Sequence, residues 1–444
     1  MSSSESESAP LRIAIVGGGI GGLSLLLGIL ENTDRKCIEP HVYEAAPAFA
    51  EIGAGVAFGS NSLSAMQLLK PGVAEAYMKH ATFQQHRGTR ERKVWSSYVM
   101  GMDGRTASNT LKAGDHIHEV IVSTERSSIH RAHFLEAMVE LLPKDGTNYA
   151  TFGKRLVDLV EDENDGNGCS ITLKFEDGTT ATADAVIGCD GIKSRVRSIL
   201  LAGQDNVEPV FTGKYAYRGL IPMDEAVSAL GEYRAQNAHF YWGYGGHLLT
   251  FPIERGKTMN VVAFRTKEDG VWDHGAKWVL PGDKERMLRD YEGWGSDVQA
   301  ILRMMKSPDI WALFDHPPAH TYHRRGSICL LGDSAHASTP HQGAGAGMAI
   351  EDAFVLSRLL GLVTKKGQLE SVFKAYDTVR RPRTQRLVTT SRDAACLYEF
   401  QKDGILDDPG AARSNLDGRM RWVWDIDLEE HLQEAISIFE QGRV

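Results

Sequence analysis

The feature that most constrains this chain is Gly17-x-Gly19-x-x-Gly22, which follows the apolar, β-branched run Leu11 to Val16 and leads into the helix-like stretch Leu23 to Leu30. Glycines at that spacing permit a tight turn, close approach of a pyrophosphate to the backbone, and tight packing of helix on strand. The helix start then offers free N–H groups and the positive end of its dipole to phosphates. A second short strand, His41 to Glu44, ends on an acid able to accept both hydroxyls of an adenosine ribose that lacks a 2'-phosphate. Strand, glycines, helix and acid in that order predict a βαβ unit that binds a dinucleotide, against the alternative of a glycine turn that merely packs. FAD and NAD are not distinguished by this unit alone.

The rest of the chain frames that unit. Its 444 residues can bury a sizeable core in two or three lobes, and the formal net charge of -9 argues for a solvated acidic surface and against a nucleic-acid groove. Five cysteines, Cys37, Cys169, Cys189, Cys329 and Cys396, are odd in number and lack Cys-x-x-Cys spacing. That pattern speaks against a disulfide framework and a metal site and suits a reducing compartment. The Ser/Glu-rich opening Met1 to Pro10 reads as a disordered tail, and no run approaches the roughly 20 apolar residues that span a bilayer, so a cytoplasmic protein is expected.

Arg155 to Val160 and Ser170 to Phe175 alternate around an acidic turn and predict a hairpin before a strand over Ala185 to Cys189. Between Val207 and Phe314 the aromatic residues Tyr215, Tyr217, Phe240, Tyr241, Trp242, Tyr244 and Phe251 predict a sheet bearing a cavity. Helical periodicity returns over Ala349 to Val363, Glu370 to Cys396 and Leu428 to Phe439. The expected fold is α/β. After the tail 1–10, a discontinuous Rossmann-like domain takes residues 11–80, 116–205 and 320–375, an inserted mixed-sheet substrate domain takes 81–115 and 206–319, and a helical C-terminal segment takes 376–444.

A second acid at a strand end separates the dinucleotide readings: Ser327 to Leu331 runs into Gly332-Asp333, which a dehydrogenase with one NAD site does not require. A third motif, Asp190-Gly191-Ile192-Lys193-Ser194-Arg195-Val196-Arg197, follows the strand ending at Cys189; its plain reading is a strand-to-helix turn capped by Asp190 with solvated arginines. Gly53-Ala54-Gly55 and Gly343-Ala344-Gly345-Ala346-Gly347 let backbone N–H groups approach a ligand, the second just before a helix expected to begin near Met348. In this order the motifs resemble, over nearly the whole chain, the single-component FAD-dependent aromatic hydroxylases, typified by 4-hydroxybenzoate and salicylate hydroxylases.

The resemblance implies that the Rossmann-like domain binds FAD, with Gly17, Gly19, Gly22 and Glu44 at its adenosine diphosphate half. It implies Asp333 on the ribityl chain, Asp190 serving both FAD and the nicotinamide cofactor, and Gly55, Gly343, Ala344, Gly345 and Ala346 along the flavin ring. Arg131, in His130-Arg131-Ala132-His133, matches the arginine such enzymes direct at FAD; taken alone it is an ordinary helix-start arginine. NADH is taken as the reductant, with NADPH the alternative, and O2 and a small phenol as co-substrates of a monomer or homodimer.

Two residues are candidates for catalysis. Arg218, in Tyr215-Ala216-Tyr217-Arg218-Gly219-Leu220-Ile221, suits an ionised phenol or a carboxylate; the same Arg-Gly-Leu-Ile context occurs in fungal hydroxylases of resorcinol-type aldehydes. The alternative is a structural salt bridge. His341, in Thr339-Pro340-His341-Gln342, sits where the family's loop faces flavin and substrate and could handle a proton, or could support the loop. Phe251 stands where related enzymes often have Tyr, and the Arg421-Trp422-Val423-Trp424 ending resembles salicylate hydroxylases. The leading expectation is conversion of salicylate to catechol with loss of CO2. The alternatives are hydroxylation of a hydroxybenzoate, a hydroxynicotinate or an orcinaldehyde-like phenol, a flavin-dependent dehydrogenase, and a non-catalytic dinucleotide sensor.

Overall fold

The computed structural model describes residues 9–49, 55–85, 93–162, 170–205 and 207–442. The run Leu11–Val16 is the inner strand of a six-stranded sheet whose order is His323–Arg324, Ile328–Leu330, Ala185–Gly188, Leu11–Val16, Ile38–Glu44 and Ala150–Phe152. All pairs are parallel except the terminal His323–Arg324 hairpin. A parallel sheet is covered on both faces, which is why its strands are apolar throughout: Ile13, Ile15, Val186, Ile187 and Ile328 are all buried. Helix Ile20–Asn32 covers one face and packs on helix Gly345–Leu360. The mixed α/β architecture read from the motifs is therefore the one observed.

The expected hairpin is a three-stranded antiparallel meander, Leu156–Asp162, Ser170–Phe175 and Thr180–Ala183. The extra strand is only four residues long, too short to show period-two alternation by itself.

The second lobe is an eight-stranded mixed sheet, ordered Val279–Pro281, Asp309–Asp315, Val210–Pro222, Thr258–Thr266, Gly246–Ile253, His239–Gly243, Lys93–Met100 and His116–Val122. Alternation along its strands separates two faces. Tyr215, Tyr217, Met259, Val261, Ala263 and Leu248 face a core shared with helices Met223–Leu230, Lys284–Asp290 and Ser296–Met304. The intervening Ala216, Arg218, Val262, Phe264, Leu249 and Phe251 line a cavity against the nucleotide lobe.

Two domain boundaries need correction. The cut at 115/116 divides a hairpin, because His116–Val122 pairs antiparallel with Lys93–Met100 at the edge of the substrate sheet. The cut at 375/376 falls within one continuous 30-residue helix, Leu369–Tyr398. Its first half packs in the nucleotide-lobe core while Leu397 and Tyr398 pack in the core of the substrate lobe, so one helix stitches both. Among the described residues no helix is long and apolar enough to cross a membrane.

Candidate active site

A cavity of about 380 Å³ lies between the lobes and gathers much of what the sequence singled out: Gly19, Gly55, Arg131, Arg218, Asp333, Gly343, Ala344, Gly345 and Ala346 all line it. Gly53 and Ala54 lie outside the described residues.

At the nucleotide end, Gly17 has φ +104° and a Cβ there would stand 2.4 Å from the Cys189 carbonyl oxygen. A Cβ on Gly22 would stand 2.0 Å from the Gly17 carbonyl oxygen. These two glycines shape the turn from beneath, while Gly19, Ile20 and Gly21 form the wall. Helix Ile20–Asn32 has no side-chain cap, and its first internal bond runs from Leu23 N–H to Gly19 O at 2.9 Å. Its leading N–H groups are thus available to an anion. Glu44 accepts the Gly18 and Ala46 N–H groups, each at 2.6 Å. It holds the turn in place but does not itself line the cavity; each carboxylate oxygen keeps a second lone pair for a hydroxyl.

Asp333 enters the cavity from the turn after Ile328–Leu330, behind which lies a fully buried charge network. Gly332 donates its N–H to Asp352 Oδ2 at 3.1 Å, His336 Nε2 meets the same oxygen at 2.5 Å, and Arg380 Nε donates to Asp352 Oδ1 at 2.8 Å. Arg380 also pairs with Glu351 at 2.7 Å, which in turn receives Arg383 at 2.9 Å and Asn61 at 2.7 Å. Burial works against the charge of Asp352, yet His336 and Arg380 outweigh it and hold its carboxyl down at about 2.

Helix Gly345–Leu360 starts three residues before the expected Met348 and has no side-chain cap. Packing overrides the weak helix propensity of its glycines: a Cβ on Gly347 would stand 2.0 Å from Ser62 Oγ, so only glycine lets this helix lie against helix Ser60–Leu69. A second helix N-terminus therefore opens on the same cavity.

Asp190 behaves as the plain reading of its motif anticipated. Its carboxylate accepts Ser194 Oγ–H at 2.5 Å and the N–H groups of Arg195 and Val196 at 2.7 and 3.1 Å, capping helix Arg195–Leu200. Neighbouring Cys189 and Gly191, not Asp190, line the cavity. Arg197 is not a solvated charge. It is buried and donates to the carbonyl oxygens of Ala335 at 2.8 Å, Ser334 at 3.2 Å and Pro317 at 3.0 Å, which clamps the turn that presents Asp333.

In the substrate lobe, Arg218 lies with its guanidinium carbon 4.8 Å from the Trp311 ring centre. Among the described residues it makes no ion pair, so the structural salt bridge is not what holds it. Burial and the nearby Arg131 guanidinium pull its pKa down to about 10, still far above neutrality. A further cavity residue, Arg126, escaped the sequence reading. It is 4% exposed and donates from Nη1 to Trp95 O at 3.2 Å and Ser96 Oγ at 2.7 Å.

His341 stands one layer behind the wall rather than in it. Its ring packs at 4.8 Å on Phe264, whose ring does line the cavity, as do Thr339, Pro340 and Gly343. His341 Nδ1 lies 3.2 Å from His247 Nε2, His247 Nδ1 lies 3.0 Å from Glu399 Oε1, and Lys214 Nζ lies 2.5 Å from Glu399 Oε2. Burial disfavours the Glu399 charge, but the His247 hydrogen bond and Lys214 prevail and keep the carboxyl below its usual range. An ionised carboxylate only accepts, so His247 Nδ1 carries the proton and its Nε2 accepts the His341 Nδ1–H. His341 is then left with a bare Nε2, and this buried atom has no hydrogen-bond partner among the described residues. Glu399, Lys214 and the network on Arg380 gave no sequence signal, because nothing local marks a charged residue as buried.

The donor set fits a flavin dinucleotide: two uncapped helix N-termini for phosphates and for negative charge on a ring, Arg131 beside them, and carboxylates for polyol hydroxyls. Comparison with known proteins agrees. The FAD binding domain family matches residues 310–391. The chain is 44% identical over 430 residues to a 6-methylsalicylate 1-monooxygenase of Aspergillus terreus, covering 97% of this chain and 92% of that protein. It is 37% identical over 446 residues to a salicylate hydroxylase of Pseudomonas putida, covering 98% and 96%. A solved salicylate hydroxylase substrate complex superposes with a TM-score of 0.82 at 35% identity, covering 96% of this chain and 98% of that one.

Proposed function

The chain belongs to the FAD-dependent aromatic monooxygenases of the salicylate hydroxylase type, and we propose that it converts salicylate to catechol with release of CO2. Bound FAD, reduced by NADH or NADPH, would activate O2, one atom of which enters the ring while the other leaves as water. What supports the substrate reading is Arg218, a cation with no ion pair among the described residues on a wall otherwise built from Ala216, Val262, Phe264, Leu249, Trp311 and Leu313. Beside a phenol it favours the phenolate, whose greater electron density makes the ring the better nucleophile. The apolar wall keeps water from the reacting centre. Entry of oxygen at the carboxyl-bearing carbon expels CO2 and leaves a catechol.

Arg218 is assigned the phenolic oxygen, whereas His341, packed behind Phe264 with His247 and Glu399 behind it in turn, is assigned the positioning of the loop that brings Thr339, Pro340 and Gly343 to the cavity. The cofactor roles of Gly17, Gly19, Gly22, Glu44, Gly55, Arg131, Asp190, Asp333 and Gly343 to Ala346 belong to the same proposal. A second reading, 6-methylsalicylate as the preferred substrate, is favoured by the name of the 44% identical relative. The test is kcat/KM for salicylate against 6-methylsalicylate, with NADH and with NADPH, scoring catechol products by mass. Salicylate ahead by tenfold or more supports the first reading, and the reverse order supports the second. NADH oxidation yielding only hydrogen peroxide with both would refute a salicylate substrate.

A further inference from the structure

Arg126 is a buried cation that pairs with no carboxylate among the described residues. It precedes strand Ser127–His130, is 4% exposed, and borders the same cavity as Arg218. Its guanidinium carbon lies 4.8 Å from the Trp95 ring centre and 5.4 Å from that of Phe251. A guanidinium has five N–H donors. Here Nη1 serves Trp95 O and Ser96 Oγ, whereas among the described residues Nε and Nη2 have no hydrogen-bond partner and no carboxylate pairs with the group. Arg126 itself lines the cavity. A cation taken out of water without a counter-charge is costly, and burial lowers its pKa to about 10, far too little to discharge it. Such a group is matched when an anion enters.

The position says which anion. Phe251 has no hydroxyl to offer a substrate, and Arg126 lies against the same ring and offers planar paired donors in its stead. Arg218 opposes Val262 on one side of strand Thr258–Thr266, and Phe251 opposes Asn260 on the other. These two strands flank strand Thr258–Thr266, about 10 Å apart as two strand spacings, and Arg218, Phe251 and Arg126 all line the one cavity. We infer that Arg126 seats the carboxylate of the substrate while Arg218 holds its phenolic oxygen, so that two arginines divide an ortho-hydroxybenzoate between them. This rests on the salicylate reading above and names the residue that selects an acid over a neutral phenol.

The test uses the FAD-loaded enzyme and two probes of nearly one shape, salicylate and its uncharged amide, 2-hydroxybenzamide, with binding followed by the flavin spectrum. In Arg126→Gln, salicylate affinity is expected to fall about 10- to 100-fold, the scale of a lost charge-assisted hydrogen bond, while the amide changes less than about threefold. Arg126→Lys keeps the charge but loses the fork, and is expected to fall between wild type and Arg126→Gln for salicylate only. If Arg126→Gln does not fold, the same ratio measured in Arg126→Lys decides. Equal loss for both probes, or loss of FAD affinity with the discrimination intact, would overturn the assignment. Wild-type enzyme that neither binds nor hydroxylates salicylate or 6-methylsalicylate would instead bring down the substrate reading on which it rests.

Discussion

Replacing Arg380 by Met removes the hub of the buried network that supports the Asp333 turn. Both carboxylates paired with Arg380, Glu351 and Asp352, are wholly buried, and so is the guanidinium. Breaking a buried pair from one side costs about 3–5 kcal/mol, because the surviving charge stays out of water. Glu351 keeps Arg383 and Asn61, and Asp352 keeps His336 and the Gly332 N–H, which places the expected loss at the lower end, about 3 kcal/mol. Unfolding entropy of about 2.1 cal/mol/K per residue gives roughly 0.9 kcal/mol/K for 444 residues, so Tm should fall by about 3 °C. The pH dependence is a sharper check. In wild type both carboxyls are held below their unfolded values, so they contribute stability above about pH 4 that is lost as pH falls through the folded values. Without Arg380, burial raises them, and the contribution reverses: it is present at low pH and lost as pH rises. The difference in Tm between variant and wild type, measured by calorimetry on FAD-loaded protein, should therefore shrink from about pH 8 to about pH 5. A difference below about 1 °C, or one that is the same at both pH values, would refute the reasoning.

Three other outcomes follow from the site. Arg218→Gln should lower kcat/KM for a salicylate about 10- to 100-fold and move the pH optimum upward, since the phenol must then ionise unaided; a change under threefold would contradict its role. Gly17→Ala forces a side chain onto φ +104° and to within 2.4 Å of the Cys189 carbonyl oxygen, so the purified protein should be nearly colourless; a full complement of FAD by absorbance would contradict the turn assignment. Glu399→Gln frees His247 to adopt either tautomer and should lower kcat about tenfold with KM changed less than twofold, whereas a KM effect as large as that on kcat would point to a purely structural role.

How much of this was legible in the sequence depends on how local the information was. Gly17, Gly19, Gly22 and Glu44 announce their unit within 28 residues, through a strand, a turn and a helix whose chemistry is carried by neighbours. Asp333 and the Gly343 to Ala346 loop were legible through the order of motifs, and both come to the cavity. Lys214 and Glu399, 185 residues apart, meet only because a helix crosses from one lobe to the other, so no local pattern could pair them. Glu351 and Asp352 look like a hydrophilic interruption of an apolar helix until Arg380 is seen between them. Arg197 looked solvated because arginines usually are. Helix Pro409–Arg419 was missed for its poor amphipathicity, although Asp408 as N-cap and Pro409 behind it were a readable start signal.

The central claim is most directly tested by single-turnover hydroxylation of salicylate carrying 13C in its carboxyl group, under 18O2 with NADH. The account predicts catechol bearing one 18O atom and an equal amount of 13CO2. A dihydroxybenzoate that retains the 13C, or reductant consumed with hydrogen peroxide as the sole oxygen product, would contradict it.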